Sequence, residues 1–180
     1  MIRTATSAED FAAFGEVVSA YVGWCRERYA HDAWFVDRVF GHQSLAAELA
    51  DLAAAYAAPN GRTLLAFDED GRVCGGGAYR RLPDGTCEMK RRYVHDRCRG
   101  HGVGRTLCTA LLEAARADGC TVMRLDTGNL LREAIATYGS FGFAHAPPHH
   151  DYPEELMPYL VSTERALDDL QPAPTGAASS

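Results

Sequence analysis

Residues 97–105 read RCRGHGVGR and run without a break into TLCTALLEAARADG at 106–119. Glycines at 100, 102 and 104 alternate with other residues, and arginines stand at 97, 99 and 105. Glycine lets a backbone come close to a ligand, and a helix that starts there offers unpaired N–H groups and partial positive charge at its first turn. A pyrophosphate suits such a turn. Two familiar phosphate motifs do not account for it: a P-loop needs Gly-Lys followed by Ser or Thr, whereas Gly104 is followed by Arg105-Thr106, and a dinucleotide fingerprint needs a third glycine at 105. Taken alone, the loop is equally compatible with a glycine-rich strand-to-helix turn carrying solvated arginines.

Working outward, Val103, Leu107, Leu111 and Ala115 recur on one helical face, which predicts a helix over about 102–118 ended by Gly119. Upstream, TLLAFDED, RVCGGGAYRRL and CEMKRRYV are short β-type runs separated by Asp70-Gly71 and Asp84-Gly85, a pattern that predicts an antiparallel meander. Downstream, CTVMRLDTG reads as a strand and 130–140 as a helix closed by Gly142, with a last strand near 157–162. At the N-terminus, IRTA reads as a strand. Thr6 with Glu9, or Ser7 with Asp10, then makes a capping signature for a helix to about Arg28, with Phe11, Phe14, Val17, Val18, Tyr21 and Val22 on its apolar face. A second helix is expected over about 44–57, before the turn PNGR. QPAPTGAASS at 171–180 is expected to be a disordered tail after a single domain over 1–170.

A chain of 180 residues that is 47% apolar and 23% charged has enough material for one core. A net charge of -6 argues against a nucleic-acid partner, and no apolar run is long enough to span a bilayer. The N-terminus lacks the basic-then-apolar order of a signal peptide, so a cytoplasmic location without membrane association is expected. Cys25, Cys74, Cys87, Cys98, Cys108 and Cys120 are spread singly, which predicts reduced, packed thiols and no zinc site of the Cys/His kind. Self-association into a homodimer is left open.

From Cys87 to Phe143 the chain resembles the GNAT superfamily of acetyl-CoA-dependent N-acetyltransferases, through EMKRRYV at 88–94, RGHGVG at 99–104 and EAIATYGSFGF at 133–143. Arg99, Gly102 and Gly104 fit the family's R/Q-x-x-G-x-G pattern, and PPHHDYPEELMPY extends the likeness more weakly. The resemblance implies an α/β fold of the α+β type: a mixed, largely antiparallel central sheet with helices on both faces, splayed at the strand that ends at Val94. It implies acetyl-CoA as co-substrate. Backbone groups of Tyr93 and Val94 would meet the pantetheine arm, and N–H groups of Arg99, Gly100, His101, Gly102, Val103, Gly104 and Arg105 would hold the pyrophosphate. Two positions depart from the pattern: Arg92 stands where the family has an apolar residue, and Leu131 where many members carry an asparagine.

The implied chemistry moves an acetyl group to an amine. An alkylammonium of pKa ~10.4 is neutral in about one molecule in 2,500 at pH 7, a cost of roughly 4.6 kcal/mol, so a nearby base is needed. Glu88 is the candidate, with Lys90 and Arg92 sharing its face by the two-residue strand period; a solvent-facing glutamate beside the hairpin is the plain alternative. Tyr138 matches the family tyrosine that protonates the departing thiolate, although Leu131, Ile135 and Tyr138 also form an ordinary apolar helix face. Cys98 carries no mark of activation as an acyl carrier. Pro147 and Pro148 break the spacing between His145, His149, His150 and Asp151, so no metal is expected there. A loop lining the acceptor pocket is expected instead, where Asp151, Tyr152, Glu154 and Glu155 with Tyr21 and Trp24 receive a small-molecule or peptide amine. A non-catalytic acyl-CoA sensor and a binder of some other phosphate ligand are the competing readings.

Overall fold

A computed structural model of the chain describes residues 1–168, and the tail expected at 171–180 lies outside them. Strand β1 (Ile2–Thr4) leads into helix α1 (Ala8–Arg28), which Ser7 caps. Of the two capping pairs legible in the sequence, the chain uses Ser7 with Asp10: Ser7 Oγ accepts from Asp10 N at 3.2 Å and Asp10 reaches back to Ser7 N. Arg3 grips the same carboxylate, tying strand to helix.

A further helix that was not expected, α2 (Ala33–His42), comes first, and the expected single helix over 44–57 is two, α3 (Leu45–Ala50) and α4 (Leu52–Tyr56). Phe35, Val36, Val39 and Phe40 supply the buried face of α2, a period present in the sequence. Asp51 divides α3 from α4: it leaves the helical region at φ -150°, and its side chain accepts from Ala54 N at 2.9 Å to start the next helix.

The meander is as expected. Strands β2 (Gly61–Phe67), β3 (Val73–Arg81) and β4 (Cys87–Val94) pair antiparallel, and Gly71 and Gly85 occupy the left-handed positions of the two turns. Helix α5 (Val103–Ala117) follows with Leu107, Leu111 and Ala115 buried, then β5 (Val122–Gly128) and α6 (Arg132–Ser140). A short β6 (Ala144–His145) precedes β7 (Leu160–Ala166), which starts later than the strand expected at 157–162. Pro158 sits in the 3-10 turn Glu154–Tyr159 and has no N–H to give a ladder, so pairing begins after it.

The seven strands lie in the order β1-β2-β3-β4-β5-β7-β6, antiparallel everywhere except at β4–β5. One face carries α1 and α4, where Phe14, Val17, Val18 and Tyr56 cover Leu65, Ala78 and Tyr93. The other carries α5 and α6 over Leu64, Met89, Met123 and Leu125. This is the mixed, mainly antiparallel sheet with helices on both faces that the sequence implied. Among the described residues no helix is long and apolar enough to cross a membrane.

The expectation of six reduced thiols does not hold. Cys74 and Cys98 form a disulfide, with Cα atoms 5.8 Å apart. His95 N donates to Cys74 O as the chain leaves β4, and this crossing brings the two residues together across 24 positions. Cys25, Cys87, Cys108 and Cys120 are free and buried, as expected.

Candidate functional site

The parallel pairing of β4 with β5 is confined to Cys87 with Met123 and Glu88 with Arg124. Beyond those two pairs the strands part, and among the described residues no strand pairs with the edge of β4 from Met89 to Val94 on that side. Two hollows meet in the split. A groove runs past Tyr93, Val94 and the glycine loop at Gly100–Arg105, and a smaller cavity lies deeper, between β4, β5 and α2. Tyr21, Arg92, Thr127, Leu131 and Tyr138 line both, so these five side chains form the boundary that groove and cavity share.

The loop is built for close approach to a ligand. Gly100 and Gly102 take φ of +80° and +76°, where an L side chain costs on the order of 1–2 kcal/mol. Gly102 O accepts from both Arg105 N and Thr106 N at 3.0 Å, which closes the first turn of α5; its leading amides have no partner within the helix. Gly100, Gly102, Val103, Gly104 and Arg105 line the groove, whereas the His101 imidazole is exposed and turns onto Arg99 O at 2.8 Å. Arg99 lies over the rings of Trp24 and Tyr93 at 4.8 and 5.3 Å and donates to Val94 O at 3.1 Å. Arg105 donates to Ser140 Oγ at 2.8 Å. Arg97, expected beside them, instead binds Asp68 at 2.8 Å at the end of the meander and adds nothing to the groove.

At the junction, Tyr138 is 7% exposed and packed edge-on to Phe143. Its hydroxyl accepts from Arg92 Nε at 3.1 Å, and among the described residues no acceptor takes the phenol's own hydrogen. Arg92 also donates to Gly104 O at 3.1 Å, linking the tyrosine to the glycine loop. This overturns the expectation that Arg92 shares a face with Glu88 and Lys90. The β3–β4 register shifts between Gly76 and Ala78, so one extra residue enters β4, and Arg91 adopts φ +56°. Its guanidinium is held there by Glu48 at 2.7 and 3.0 Å and Gln43 at 2.8 Å. Past this bulge the alternation inverts. Arg92 goes to the α5 side, and Tyr93 to the α1 side against Trp24 and Tyr21.

A loop after a broken parallel pair, glycines at the entrance of α5 and a tyrosine at the cavity mouth make a pattern that known proteins share. Residues 28–143 match the acetyltransferase (GNAT) family. The chain belongs to the GNAT acetyltransferase family. It is 34% identical over 119 residues to an uncharacterised N-acetyltransferase of Schizosaccharomyces pombe, a match covering 66% of this chain and 73% of that one. It is 33% identical over 100 residues to the uncharacterised N-acetyltransferase YjgM of Escherichia coli, covering 54% and 59%. The crystal structure of an acetyltransferase from Streptococcus agalactiae superposes with a TM-score of 0.69 at 19% identity over 92% of this chain and 97% of that one, which shows the shared fold. As a GNAT protein the chain is an acyltransferase that uses acyl-CoA as co-substrate.

Within this GNAT frame, the deep cavity carries the charged groups. Glu88, with a side chain 2% exposed, is no solvent-facing residue. Its Oε2 accepts from Arg80 at 2.7 Å. Its Oε1 accepts from His150 Nε2 at 2.8 Å and Lys90 Nζ at 3.3 Å. Burial pushes the carboxyl pKa up, but the imidazoles of His149 and His150 and the charges of Lys90 and Arg80 outweigh it, so the group is held well below the usual carboxylate range. Burial lowers the Lys90 pKa against the opposing pull of Glu88.

The acidic residues expected to receive an amine do not reach the cavity. Glu155 pairs with Arg38 on the surface, and Asp151 is exposed. Tyr152 does come inward, donating to Asp126 Oδ2 at 2.9 Å and accepting from Gln43 Nε2 at 3.0 Å. Tyr21 lines the cavity and Trp24 only the groove. Asp126, absent from the sequence reading, lies in the cavity wall with a side chain 3% exposed. Its one sequence signal is alternation: in VMRLDTG the buried Met123 and Leu125 put Asp126 on the opposite face, toward α2.

Proposed function

We propose that the chain moves an acetyl group from acetyl-CoA to a primary amine of a small molecule or peptide, by direct attack with both substrates bound. The observation that carries this reading is the boundary of groove and cavity at Tyr21, Arg92, Thr127, Leu131 and Tyr138, which is where a thioester in the one would meet an amine in the other. Backbone groups of Tyr93 and Val94 on the open edge of β4 hold the pantetheine arm. The amides of the α5 entrance from Gly100 to Arg105 hold the pyrophosphate. With the side chain at 131 a leucine, main-chain contacts supply the larger share of the grip.

Tyr138 serves as general acid. With Arg92 donating to its oxygen, the phenol's hydrogen is free to point at the departing sulfur. Glu88 serves as base in a relay. Its carboxylate, too weakly basic among Arg80, Lys90 and the imidazoles to keep a proton, attracts the acceptor's ammonium and passes its proton on through His150, 2.8 Å away with a side chain 25% exposed, toward solvent. A backbone N–H near Val94 stabilises the oxyanion that forms in the attack.

The test is thiol release from acetyl-CoA across a panel of primary amines. Wild-type protein releases thiol only when an acceptor is present. Tyr138→Phe lowers turnover by about 10²–10⁴-fold, the usual worth of a positioned acid, with acetyl-CoA affinity nearly unchanged. Full activity in Tyr138→Phe would make the tyrosine a packing residue. Acetyl-CoA binding with no transfer to any amine would favour a sensor.

A further inference from the structure

Four donor groups that sequence spacing kept apart converge beside Glu88. His149 and His150 come from the loop after β6, Glu88 from β4 and Asp126 from β5, and one donor atom of each lies within 4.8 Å of the others. His150 Nε2 is 2.8 Å and His149 Nε2 3.4 Å from Glu88 Oε1, and the other His149 nitrogen, Nδ1, turns toward Asp126 Oδ1 at 3.8 Å, so Nε2 is the atom this imidazole offers to an ion. Tetrahedral zinc with ligand bonds of ~2.0–2.1 Å needs donor atoms ~3.3 Å apart, a value the two histidine–Glu88 separations bracket.

A second observation points to a ligand. The His149 side chain is only 8% exposed, yet its Nε2 has no hydrogen-bond partner, and it faces the cluster. A buried imidazole nitrogen left in that state costs about 1–3 kcal/mol, which a bound cation removes. The surroundings resemble the support a metal ligand needs: Ser162 Oγ donates to Asp126 Oδ1 at 2.6 Å and Tyr152 to Oδ2, fixing that carboxylate. Arg80 occupies the other Glu88 oxygen, Oε2, and leaves Oε1 to the cluster. Lys90 is the rival cation. Its contacts to Glu88 Oε1 and Gln43 Oε1, 3.3 and 3.5 Å, are both long as hydrogen bonds, so its ammonium can swing off that oxygen at a cost in charge pairing that the ion's ligand bonds have to exceed.

We propose that Glu88, His149, His150 and Asp126 form a binding site for a divalent transition-metal cation at the deep end of the cavity, with zinc the best match to two imidazoles and two carboxylates. The cation would occupy the oxygen on which the proposed acetyl transfer depends, so the two uses of Glu88 exclude each other. The site needs no acyl-CoA contact, and failure of the transferase reading would leave it standing.

The experiment is calorimetric titration of tag-free, metal-stripped full-length protein with Zn²⁺, together with visible absorption on addition of Co²⁺, whose tetrahedral complexes absorb strongly. One equivalent binds, and Co²⁺ gives tetrahedral bands. His149→Gln with His150→Gln weakens binding by more than the ~100-fold that loss of a merely supporting group costs. Asp126→Asn weakens it less, and the thermal melt of each variant reports whether it is folded. Absence of both heat and bands in the wild type would overturn the proposal. So would a folded double variant that binds as tightly as wild type, which would put the metal elsewhere.

Discussion

Glu88 is where burial and charge oppose each other most directly. Its carboxylate is ionised among Arg80, Lys90 and two imidazoles, and its pKa lies below the ordinary glutamate value of ~4.3. Because the folded-state pKa is depressed, the stabilisation is fully present above the unfolded value and fades as pH falls toward the folded one. Glu88→Gln leaves Lys90 buried without its counter-charge, a change expected to cost about 3 kcal/mol or more at pH 7. Urea unfolding at pH 7 and at pH 3 checks the sign: the gap between wild type and variant narrows at the lower pH. A gap that widens on acidification would mean the carboxyl is not held ionised. The sequence marked Glu88 and Tyr138 because each sits in a recognisable local motif. It did not mark Asp126, and it set His149 aside because Pro147 and Pro148 break the local spacing; the partners of both lie dozens of residues away and are brought together only by the sheet.

Elements divide in the same way. The meander, α1, α5 and α6 were legible because period and terminating glycines are local; α5 carries Leu107, Leu111 and Ala115 and stops before Gly119. The bulge at Arg91 was not legible. It depends on Glu48 in α3 and Gln43 after α2, and no period-two reading of CEMKRRYV can anticipate a residue inserted by contacts that distant. Its effect is large, since it turns Arg92 away from Glu88 and onto Tyr138 and Gly104. At the α5 entrance the local rule governs again. Gly102 holds φ +76° with nothing within 4 Å of an added Cβ, so Gly102→Ala meets no clash and costs only the backbone term, on the order of 1–2 kcal/mol. A relaxed entrance loses part of its amide alignment, and acyl-CoA affinity falls with it.

On the scale of the molecule, the sheet opens at one place, between β4 and β5, and the described chain is tied on both sides of that opening. The hydroxyl of Tyr29, the residue that caps α1, accepts from Leu130 N at 2.9 Å just past the end of β5, and the Cys74–Cys98 bond joins β3 to the turn that leads into the glycine loop. A closed loop of this length is worth ~3 kcal/mol through the unfolded chain. Cys74→Ser, or reductant added to the wild type, therefore shifts the urea midpoint downward; identical midpoints with and without reductant would show that the two sulfurs are not joined in solution. The central claim is that the α5 entrance and the open edge of β4 grip a coenzyme A thioester. Calorimetric titration of acetyl-CoA into wild type and Gly102→Ala tests it most directly. The account predicts one site per chain in the ~1 μM–1 mM range usual for enzyme substrates, weakened in the variant while ATP and NAD fail to compete. No heat from the folded wild-type protein, or equal affinity for ATP, would contradict it.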